Sequence, residues 1–247
     1  MASGFLPCAV IPVYDHERTV GRVVEAARAA GLPCFLVDDG SRAECARELE
    51  RLAARTDDTR LLRLPRNRGK GNAVMAGFEL ATDAGFTHAL QVDADGQHSL
   101  GDIPRFLDEA RAHPDALVCG RPEFDASMPA IRRYGRYLTH ALVWLETLSL
   151  DIPDSLCGFR VYPLGAVARL LRDERVGARM DFDVEILVRL YWRRVPLRWI
   201  ATRVVYPRDG ISHFRLLRDN ARMVALQLRL LSGMVPRLPG LLARKLT

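Results

Sequence analysis

The 247-residue sequence lacks the features that mark membrane-spanning and secreted proteins. No apolar run approaches the roughly 18 to 20 consecutive residues that a transmembrane helix needs. The amino terminus also lacks the basic segment and the long apolar segment of a signal peptide. We therefore expect a cytoplasmic protein.

Cysteine is sparse, and its pattern fits neither a disulfide framework nor a zinc site. The five cysteines are odd in number, show no CxxC spacing and lie mostly in apolar segments. Two phosphate-binding motifs are missing as well. No GxGxxG follows the first predicted strand, and RNRGKGNA (residues 66–73) is too short for a P-loop. These absences argue against zinc proteins, disulfide-stabilised proteins and nicotinamide- or flavin-dependent enzymes.

Positive charge is concentrated at the carboxyl-terminal end. From Arg208 onward the chain has eight basic and two acidic residues, which accounts for its whole net charge of +6. A basic segment on an otherwise neutral body predicts an anionic partner, either membrane phospholipid or a phosphorylated acceptor, and no nucleic acid. The alternative is an arginine-rich helix that is simply solvated.

Apolar runs bounded by turn residues alternate with helical patterns through the first half of the chain. This alternation is typical of βαβ units and predicts an α/β fold with a mostly parallel sheet. After Arg121 the sequence predicts a long helix at about 130–148, a further helix and strand, and a final amphipathic helix from 213 to about 232. The apolar stripe predicted for the final helix consists of Leu216, Leu217, Val224, Leu228 and Leu231. We predict a main domain over residues 1–212 and a basic amphipathic helical tail over 213–247.

Polar side chains follow four of the predicted strands. Ligands of an open parallel sheet bind outside the carboxyl ends of its strands, so we expect these side chains to meet. They are Tyr14, Asp15 and His16 after the first strand, Asp38 and Asp39 after the second, Asp93, Asp95 and Gln97 after the fourth, and Arg121 after the fifth.

The segment LQVDADGQH (residues 90–98) places two carboxylates, Asp93 and Asp95, one residue apart at the end of a strand. Mg²⁺ or Mn²⁺, which prefer oxygen ligands, would offset their repulsion. The same cation could bridge to a nucleotide diphosphate and neutralise it as its bond to a sugar breaks. Alone, such a pair is a weak signal because acidic pairs are common at turns.

The motifs IPVYDHE, VDDGS, NRGKGNAVMAGF, VDADGQH, GFR and FDVEILVR, in that order, resemble the family 2 glycosyltransferases of the GT-A fold. Within that family the chain is similar to dolichol-phosphate mannosyltransferases and bacterial polyprenyl-phosphate glycosyltransferases. The resemblance covers residues 7–215 and implies a GT-A nucleotide-diphospho-sugar transferase fold with a Rossmann-like sheet. It also implies an inverting, metal-dependent transfer of a sugar from a nucleotide-diphosphate donor to a lipid-linked acceptor.

The resemblance also implies roles for individual residues. The implied nucleoside contacts are Pro12, Tyr14 and Asp38. The implied contacts to the sugar, the diphosphate and the metal are Asp93, Ala94, Asp95 and Gln97. Of these, Asp93, Asp95 and Gln97 are expected to hold Mg²⁺ or Mn²⁺. Phosphate contacts are expected from Arg121 and Arg208, and a nucleotide or sugar contact from Lys70 and, second, Arg66. Lys70 lies in a glycine-rich turn, so a turn that merely packs is the alternative. The chain has His16 and His213 where the family carries an acidic residue and a lysine.

Two kinds of acceptor remain open. A lipid phosphate is already ionised at about pH 7 and needs no general base, whereas a hydroxyl needs a carboxylate to take its proton. Asp154 ranks first as that base, followed by Asp183 and Glu185, although each could instead cap a turn or a helix. Arg132, Arg133 and Arg136 lie beside apolar residues of the 130–148 helix, which suits an anionic head group with an apolar tail. An ordinary amphipathic helix is the alternative.

Without a transmembrane helix, we expect a peripheral enzyme whose basic tail lies on the inner face of the membrane. Two other functions remain possible at this point: transfer to a hydroxyl of a glycolipid or polysaccharide, and a non-catalytic carbohydrate- or lipid-binding module of the same fold. Such a module would not need the acidic pair. A nucleotide-sugar pyrophosphorylase would carry a glycine-rich loop after its first strand, and IPVYDHERTV has none.

Overall fold

A computed structural model describes residues 4–124, 130–204 and 216–244, without the side chains of residues 130–133 and 216–219. The strands and helices alternate through most of this length. They are β1 (Pro7–Val13), α1 (Val20–Ala29), β2 (Cys34–Asp38), α2 (Ala43–Ala53), β3 (Thr59–Arg63), α3 (Lys70–Asp83), β4 (His88–Gln91), α4 (Ile103–Ala112), β5 (Leu117–Phe124), α5 (Ala130–Thr147), β6 (Arg160–Pro163), α6 (Leu164–Asp173), α7 (Phe182–Trp192), β7 (Leu197–Val204), α8 (Leu216–Met234) and α9 (Leu238–Ala243).

All seven strands form one sheet in the order β3-β2-β1-β4-β6-β5-β7. The strands β1 to β4 run parallel to one another, and β7 is parallel to β5. Only β6 runs in the opposite direction, between β4 and β5. The predicted α/β fold with a mostly parallel sheet is therefore confirmed, with one inserted antiparallel strand that the sequence analysis did not predict.

Both faces of the sheet are covered because alternate residues of its strands are apolar on each side. In β1, Ala9 and Ile11 pack into a core with α1, α2 and α4, whereas Cys8 and Val10 pack into a second core with α3, α6 and α7. Strands that are buried on both faces read as continuous apolar runs, as β1 and β2 do.

One edge of the sheet brings the predicted site residues together. The chain leaves β1 toward β2 on one side and returns as β4 on the other, which opens a crevice at the carboxyl ends of these strands. Because β6 is antiparallel, the loop before it (residues 154–159) ends at the same edge. The amino-terminal ends of α3 and α7 also reach this edge, which we call the mouth.

The carboxyl-terminal helices pack against the body of the protein. Helix α8 contacts α5 and α7, and its Leu226 and Leu230 are fully buried in the same core as α7. Val224 and Leu228, from the apolar stripe predicted for this helix, face outward instead. The predicted domain boundary at residue 212 lies outside the described residues. Among those residues, no helix combines the length and apolar character needed to cross a bilayer.

Glu146 on α5 should make the stability of the protein depend on pH. It is fully buried, and neither carboxylate oxygen has a hydrogen-bond partner among the described residues. Burial raises the pKa of Glu146 to about 8, so the folded protein retains a proton that the unfolded chain releases at about pH 4.3. The contribution of Glu146 to the free energy of unfolding should therefore be greatest below about pH 4.3 and should fall as the pH rises toward 8.

Urea unfolding of wild type and Glu146→Gln at pH 5, 6, 7 and 8 measures the pH dependence that Glu146 contributes. The difference in stability between the two proteins should change by up to about 1.4 kcal/mol per pH unit, in favour of the variant at high pH. Glu79→Gln, at an exposed position of α3, is the matched control and should leave the pH dependence unchanged. Parallel curves for wild type and Glu146→Gln would show that Glu146 does not hold the proton.

Candidate active site

A lysine ammonium group lies between two carboxylates at the mouth. The Nζ of Lys70, the first residue of α3, lies 2.8 Å from Asp93 after β4 and 2.8 Å from Asp183 in α7. Gln91 donates a 2.8 Å hydrogen bond to the other oxygen of Asp183, and the buried Arg160 donates one to the Asp183 carbonyl oxygen at 2.6 Å. This network joins α3, β4, β6 and α7.

The charges in this network stabilise one another. The side chains are largely shielded from water, with exposed fractions of 17% for Lys70, 24% for Asp93 and 7% for Asp183. Burial opposes the charged form of Lys70, but the two carboxylates outweigh burial and raise its pKa. Burial likewise opposes the charge of Asp93, whose pKa is nevertheless lowered by Lys70 and by His98. The ammonium and the Asp93 carboxylate are therefore charged at neutral pH.

Gly158 leaves the space that this network occupies. A Cβ atom at this position would lie 2.7 Å from Lys70 Nζ, 2.9 Å from Gln91 Nε2 and 3.2 Å from an Asp93 carboxylate oxygen. Any side chain here would push the ammonium group out of its position between the carboxylates. The glycine of the GFR motif is thus required by close packing.

The turn before α3 is held by β2. The carboxylate of Asp39 accepts hydrogen bonds from the backbone N–H groups of Arg68 (2.6 Å) and Gly69 (2.8 Å). Gly69 has a φ of 102°, and a Cβ at Gly71 would lie 2.6 Å from the Gly177 carbonyl oxygen. The glycine-rich turn is therefore a packed turn that directs Lys70 into the network. A nucleotide contact by Lys70 or by the exposed Arg66 stays a prediction.

Asp95 has a different environment from Asp93. One of its carboxylate oxygens accepts a 3.0 Å hydrogen bond from the backbone N–H of Gln97. Burial and the negative charge of Asp93 raise the pKa of Asp95. Between the two, Ala94 is buried, and its carbonyl oxygen accepts a 2.6 Å hydrogen bond from the Thr19 hydroxyl. The charged form of Asp95 is therefore disfavoured beside Asp93, and a bound cation would favour it.

These residues fit a divalent cation that binds together with a diphosphate. Among the described residues, no three carboxylate, imidazole or thiolate groups converge on one point. The carboxylates of Asp93 and Asp95 and the amide of Gln97 would supply oxygen ligands only, which suits Mg²⁺ or Mn²⁺. Mg²⁺ commonly binds through one or two carboxylates and completes its shell with water and substrate phosphates. A cation would also relieve the repulsion that raises the pKa of Asp95.

The predicted nucleoside contacts lie at the same edge of the sheet. Pro12 is buried near the end of β1, and Tyr14 is half-buried directly after it. Asp38 is fully buried, accepts a 2.8 Å hydrogen bond from the Ser41 backbone N–H and lies 3.2 Å from the Arg63 guanidinium. Its carboxylate therefore organises the loop after β2, and a contact to base or ribose stays a prediction.

The predicted phosphate contacts are less well defined by the structure. Arg121 lies on β5 with an exposed side chain. Arg208 and His213 lie outside the described residues, as do the side chains of Arg132 and Arg133. His16 is half-buried after β1, and burial lowers its pKa, although nearby carboxylates oppose that shift.

Asp154, the first candidate for a general base, is engaged in ion pairs. Its carboxylate accepts two hydrogen bonds from Arg136, at 2.9 and 2.8 Å, and lies 3.3 Å from His140 Nε2. Burial by itself would raise its pKa, but the hydrogen bond from His140 and the charge of Arg136 outweigh burial and lower the pKa of Asp154 to about 2. A carboxylate with so low a pKa is a weak base at neutral pH.

The other two candidates are ion-paired as well. Asp183 has one carboxylate oxygen on Lys70 and the other on Gln91. Glu185 is fully buried, where it accepts hydrogen bonds from Arg189 at 2.7 Å and from Arg229 of α8 at 2.9 Å. Glu185 thus ties α8 to α7. A base role for any of the three stays a prediction that would require one of these ion pairs to open.

Several residues that build the mouth were not predicted from the sequence. Gln91 and Arg160 donate hydrogen bonds to Asp183, and Gly158 leaves the space that the Lys70 ammonium group occupies. No role was predicted for any of the three. The GFR motif already contained the relevant signal for Arg160. An arginine within a short apolar strand is rarely buried unless it has specific partners.

Comparison with known proteins decides the family. The model of the family described as Glycosyl transferase family 2 matches residues 8–166. The chain belongs to the family 2 glycosyltransferases. This confirms the family predicted from the motifs, and the matched residues include Lys70, Asp93, Asp95 and Gly158.

Named relatives support the same family. Dolichyl-phosphate beta-glucosyltransferase from Homo sapiens is 29% identical over 215 residues, covering 78% of this chain and 65% of the human protein. The Mus musculus protein of the same name is 31% identical, and the match again covers 78% of this chain and 65% of the mouse protein. Undecaprenyl-phosphate 4-deoxy-4-formamido-L-arabinose transferase from Shewanella sediminis is 34% identical over 169 residues, 66% of this chain and 49% of that protein. The chain thus spans between about half and two thirds of these relatives.

Gly158→Ala should disrupt the network without affecting the sheet beneath it. The new methyl group would displace Lys70 or Gln91. We therefore expect the affinity for UDP or GDP in the presence of Mn²⁺ to fall by about tenfold or more, which calorimetry measures. Gly165→Ala in α6 is the control, because only the flexible end of Arg169 lies near its new methyl group, at 3.7 Å. Equal affinities for the two variants would contradict the role given to Gly158.

Proposed function

We propose that this chain transfers a sugar from a nucleotide-diphosphate donor to a polyprenyl phosphate acceptor, with inversion at the anomeric carbon and with a divalent cation. The choice of acceptor rests on one observation, which is that the candidate general bases are bound to other side chains. Asp154, Asp183 and Glu185 are each held in ion pairs or charged hydrogen bonds. A reaction that needs no general base fits this mouth best.

The donor side of the proposal uses the carboxyl ends of β1, β2 and β4. Pro12, Tyr14 and Asp38 would receive the nucleoside, and the arginines at 121 and 208 would contact phosphate. Asp93, Asp95 and Gln97 would hold Mg²⁺ or Mn²⁺. When bound, the cation neutralises charge on the departing diphosphate. The oxygen-only ligand set and the repulsion between the Asp93 and Asp95 carboxylates support this arrangement.

The choice of acceptor depends on whether the attacking oxygen must first lose a proton. A phosphate monoester is ionised at about pH 7, so its oxygen can attack the anomeric carbon without losing a proton. Attack from the side opposite to the departing diphosphate inverts the configuration. The names of the relatives from human and Shewanella include dolichyl phosphate and undecaprenyl phosphate, which are lipid phosphates of this kind.

In this proposal the buried carboxylates position other groups. Asp183 holds Lys70 beside Asp93, and Asp154 holds Arg136 and His140 of α5. A hydroxyl acceptor on a glycolipid or polysaccharide would require one of these carboxylates to leave its partner and take a proton. A non-catalytic module would have no use for two neighbouring carboxylates that repel each other.

A lipid-linked acceptor requires the protein to work at a membrane surface. We propose that the carboxyl-terminal helices bring it to the anionic inner leaflet as a peripheral protein. Residues 220–244 contain four arginines and no acidic residue. Val224 and Leu228 of α8 are exposed, at 60% and 63%. Apolar insertion together with basic charge favours such a surface.

Asp95→Asn should reduce Mn²⁺-dependent donor hydrolysis by at least about 100-fold, because the neutral amide is a weaker ligand for a hard cation. Release of free nucleotide from a panel of UDP- and GDP-sugars measures this, and the circular dichroism spectrum should remain that of wild type. Asp108→Asn, at an exposed position of α4, is the control. Full activity of Asp95→Asn would remove the cation from the proposal.

Transfer should occur to undecaprenyl phosphate and not to undecaprenol. The ionised phosphate needs no base, whereas the alcohol would need one of the paired carboxylates. Assays in detergent with radiolabelled donor sugars and each lipid in turn separate the two acceptors. Transfer to the alcohol at a comparable rate would instead support a hydroxyl-directed transferase.

A further inference from the structure

Lysine is rare in this chain, and one of its lysines lies at the mouth. Of the 36 basic residues only Lys70 and Lys245 are lysines, and all the others are arginines. An ammonium is a compact charge on a flexible stem, whereas a guanidinium is a larger, planar fork of donors. A Cβ at Gly158 would lie only 2.7 Å from Lys70 Nζ, so the space suits the smaller group. The chain thus places its smaller and more mobile type of cation beside Asp93.

The ammonium group of Lys70 takes up both oxygens of the Asp93 carboxylate. Nζ lies 2.8 Å from Oδ1 and 2.8 Å from Oδ2. Mg²⁺ needs an oxygen ligand at about 2.0 to 2.1 Å, so a cation held by Asp93 would come very close to Nζ. Two positive charges repel strongly in a site that is shielded from water. Lys70 and a divalent cation therefore compete for Asp93.

Lys70 has a second carboxylate partner that lies deeper in the protein. Its Nζ lies 2.8 Å from Oδ2 of Asp183, whose other oxygen accepts a 2.8 Å hydrogen bond from Gln91. The Asp183 side chain is 7% exposed, against 24% for Asp93. Because the lysine stem is flexible, the ammonium can leave Asp93 and keep its contact with Asp183. Lys70 can therefore remain on Asp183 while Asp93 binds another cation.

Charge shows what must accompany that cation. Asp93, Asp95 and Asp183 supply three carboxylates around the Lys70 ammonium. An ammonium that gives up Asp93 keeps one carboxylate partner instead of two, which weakens the stabilisation of its charge. A diphosphate bound at the same edge of the sheet would replace the lost negative charge. The cation and the diphosphate should therefore bind cooperatively, and Lys70 links them.

We propose that Lys70 and the divalent cation exclude each other from Asp93, so that Lys70 leaves Asp93 and stays on Asp183 when the cation binds together with the nucleotide diphosphate. The inference rests on the proposed function, because it requires both a cation and a diphosphate at the mouth. It makes Lys70 a positioning residue. Without the diphosphate, Lys70 keeps the cation away from Asp93.

Binding of Mn²⁺ to the full chain, measured by calorimetry with and without UDP or GDP, tests the exclusion. Lys70→Met frees Asp93, so Mn²⁺ alone should bind at least about tenfold more tightly than to wild type. The ratio of the Mn²⁺ affinities with and without nucleotide should fall by about tenfold or more, because the side chain that links the two ligands is gone. Equal or weaker binding of Mn²⁺ alone by the variant would overturn the exclusion.

Arg22→Met is the control for a general effect of charge. Arg22 is an exposed residue of α1, and its guanidinium would lie 3.2 Å from a Cβ at Gly96, in the turn after Asp95. Its loss removes a solvent-screened positive charge near the carboxylate pair without freeing Asp93, so the affinity for Mn²⁺ alone should change by less than about twofold. A gain equal to that of Lys70→Met would show a general effect of charge and would overturn the exclusion.

A measurement that keeps Lys70 does not depend on the stability of Lys70→Met. In Lys245→Arg, Lys70 is the only lysine, so ¹³C-labelled lysine gives a single Cε signal in nuclear magnetic resonance spectra. Asp93→Asn in the same background gives the signal of a Lys70 that lacks the Asp93 charge. Mg²⁺ together with UDP or GDP should move the Lys70 signal toward that position, whereas Mg²⁺ alone should move it little.

The possible outcomes separate this inference from the proposed function. Cooperative binding of Mg²⁺ and nucleotide with a Lys70 signal that does not move toward its position in Asp93→Asn would overturn the exclusion. The transferase proposal would then stand, with Asp95 holding the cation while Asp93 stays on Lys70. Failure of the wild-type protein to bind UDP or GDP with either Mg²⁺ or Mn²⁺ would overturn both proposals.

Discussion

The mouth depends on one ion triad, in which the ammonium of Lys70 lies 2.8 Å from the carboxylates of both Asp93 and Asp183. The three residues come from α3, from the end of β4 and from α7. Removing a charge from such a shielded group leaves its partners uncompensated, which is costly. The triad therefore fixes the relative positions of three elements. Gly158 provides the space for it, and Asp39 holds the turn that directs Lys70 into it.

The triad also determines what the mouth can bind. Lys70 supplies one positive charge between the carboxylates of Asp93 and Asp183, and Asp95 adds a third carboxylate, whose pKa is raised by burial and by Asp93. That imbalance favours a cation that arrives with an anionic substrate. Of the other candidate bases, Asp154 is tied to Arg136 and His140, and Glu185 is tied to Arg189 and Arg229. These ion pairs favour an acceptor that is already ionised. A nucleotide-diphosphate donor and a lipid phosphate acceptor satisfy both conditions.

Local patterns in the sequence were sufficient for the fold and for the place of the site. Continuous apolar runs such as PCAVIPV predicted the buried strands, and the polar residues that follow them do meet at one edge. Partners distant in sequence could not be predicted this way: Lys70 and Asp183 are 113 residues apart. Helices with apolar residues on several sides were also ambiguous. Leu226 and Leu230 proved to be the buried stripe of α8, while Arg136, His140 and Glu146 of α5 point inward, against the usual rule.

A double-mutant cycle between Lys70 and Asp183 is the most direct test of this account. Urea unfolding at neutral pH should show that Lys70→Met loses about 3 kcal/mol or more, because two carboxylates are left without their counter-charge. Adding Asp183→Asn to Lys70→Met should restore part of that loss, giving a coupling energy of at least about 1 kcal/mol. Additive losses, or a Lys70→Met variant as stable as wild type, would contradict the central role of the triad.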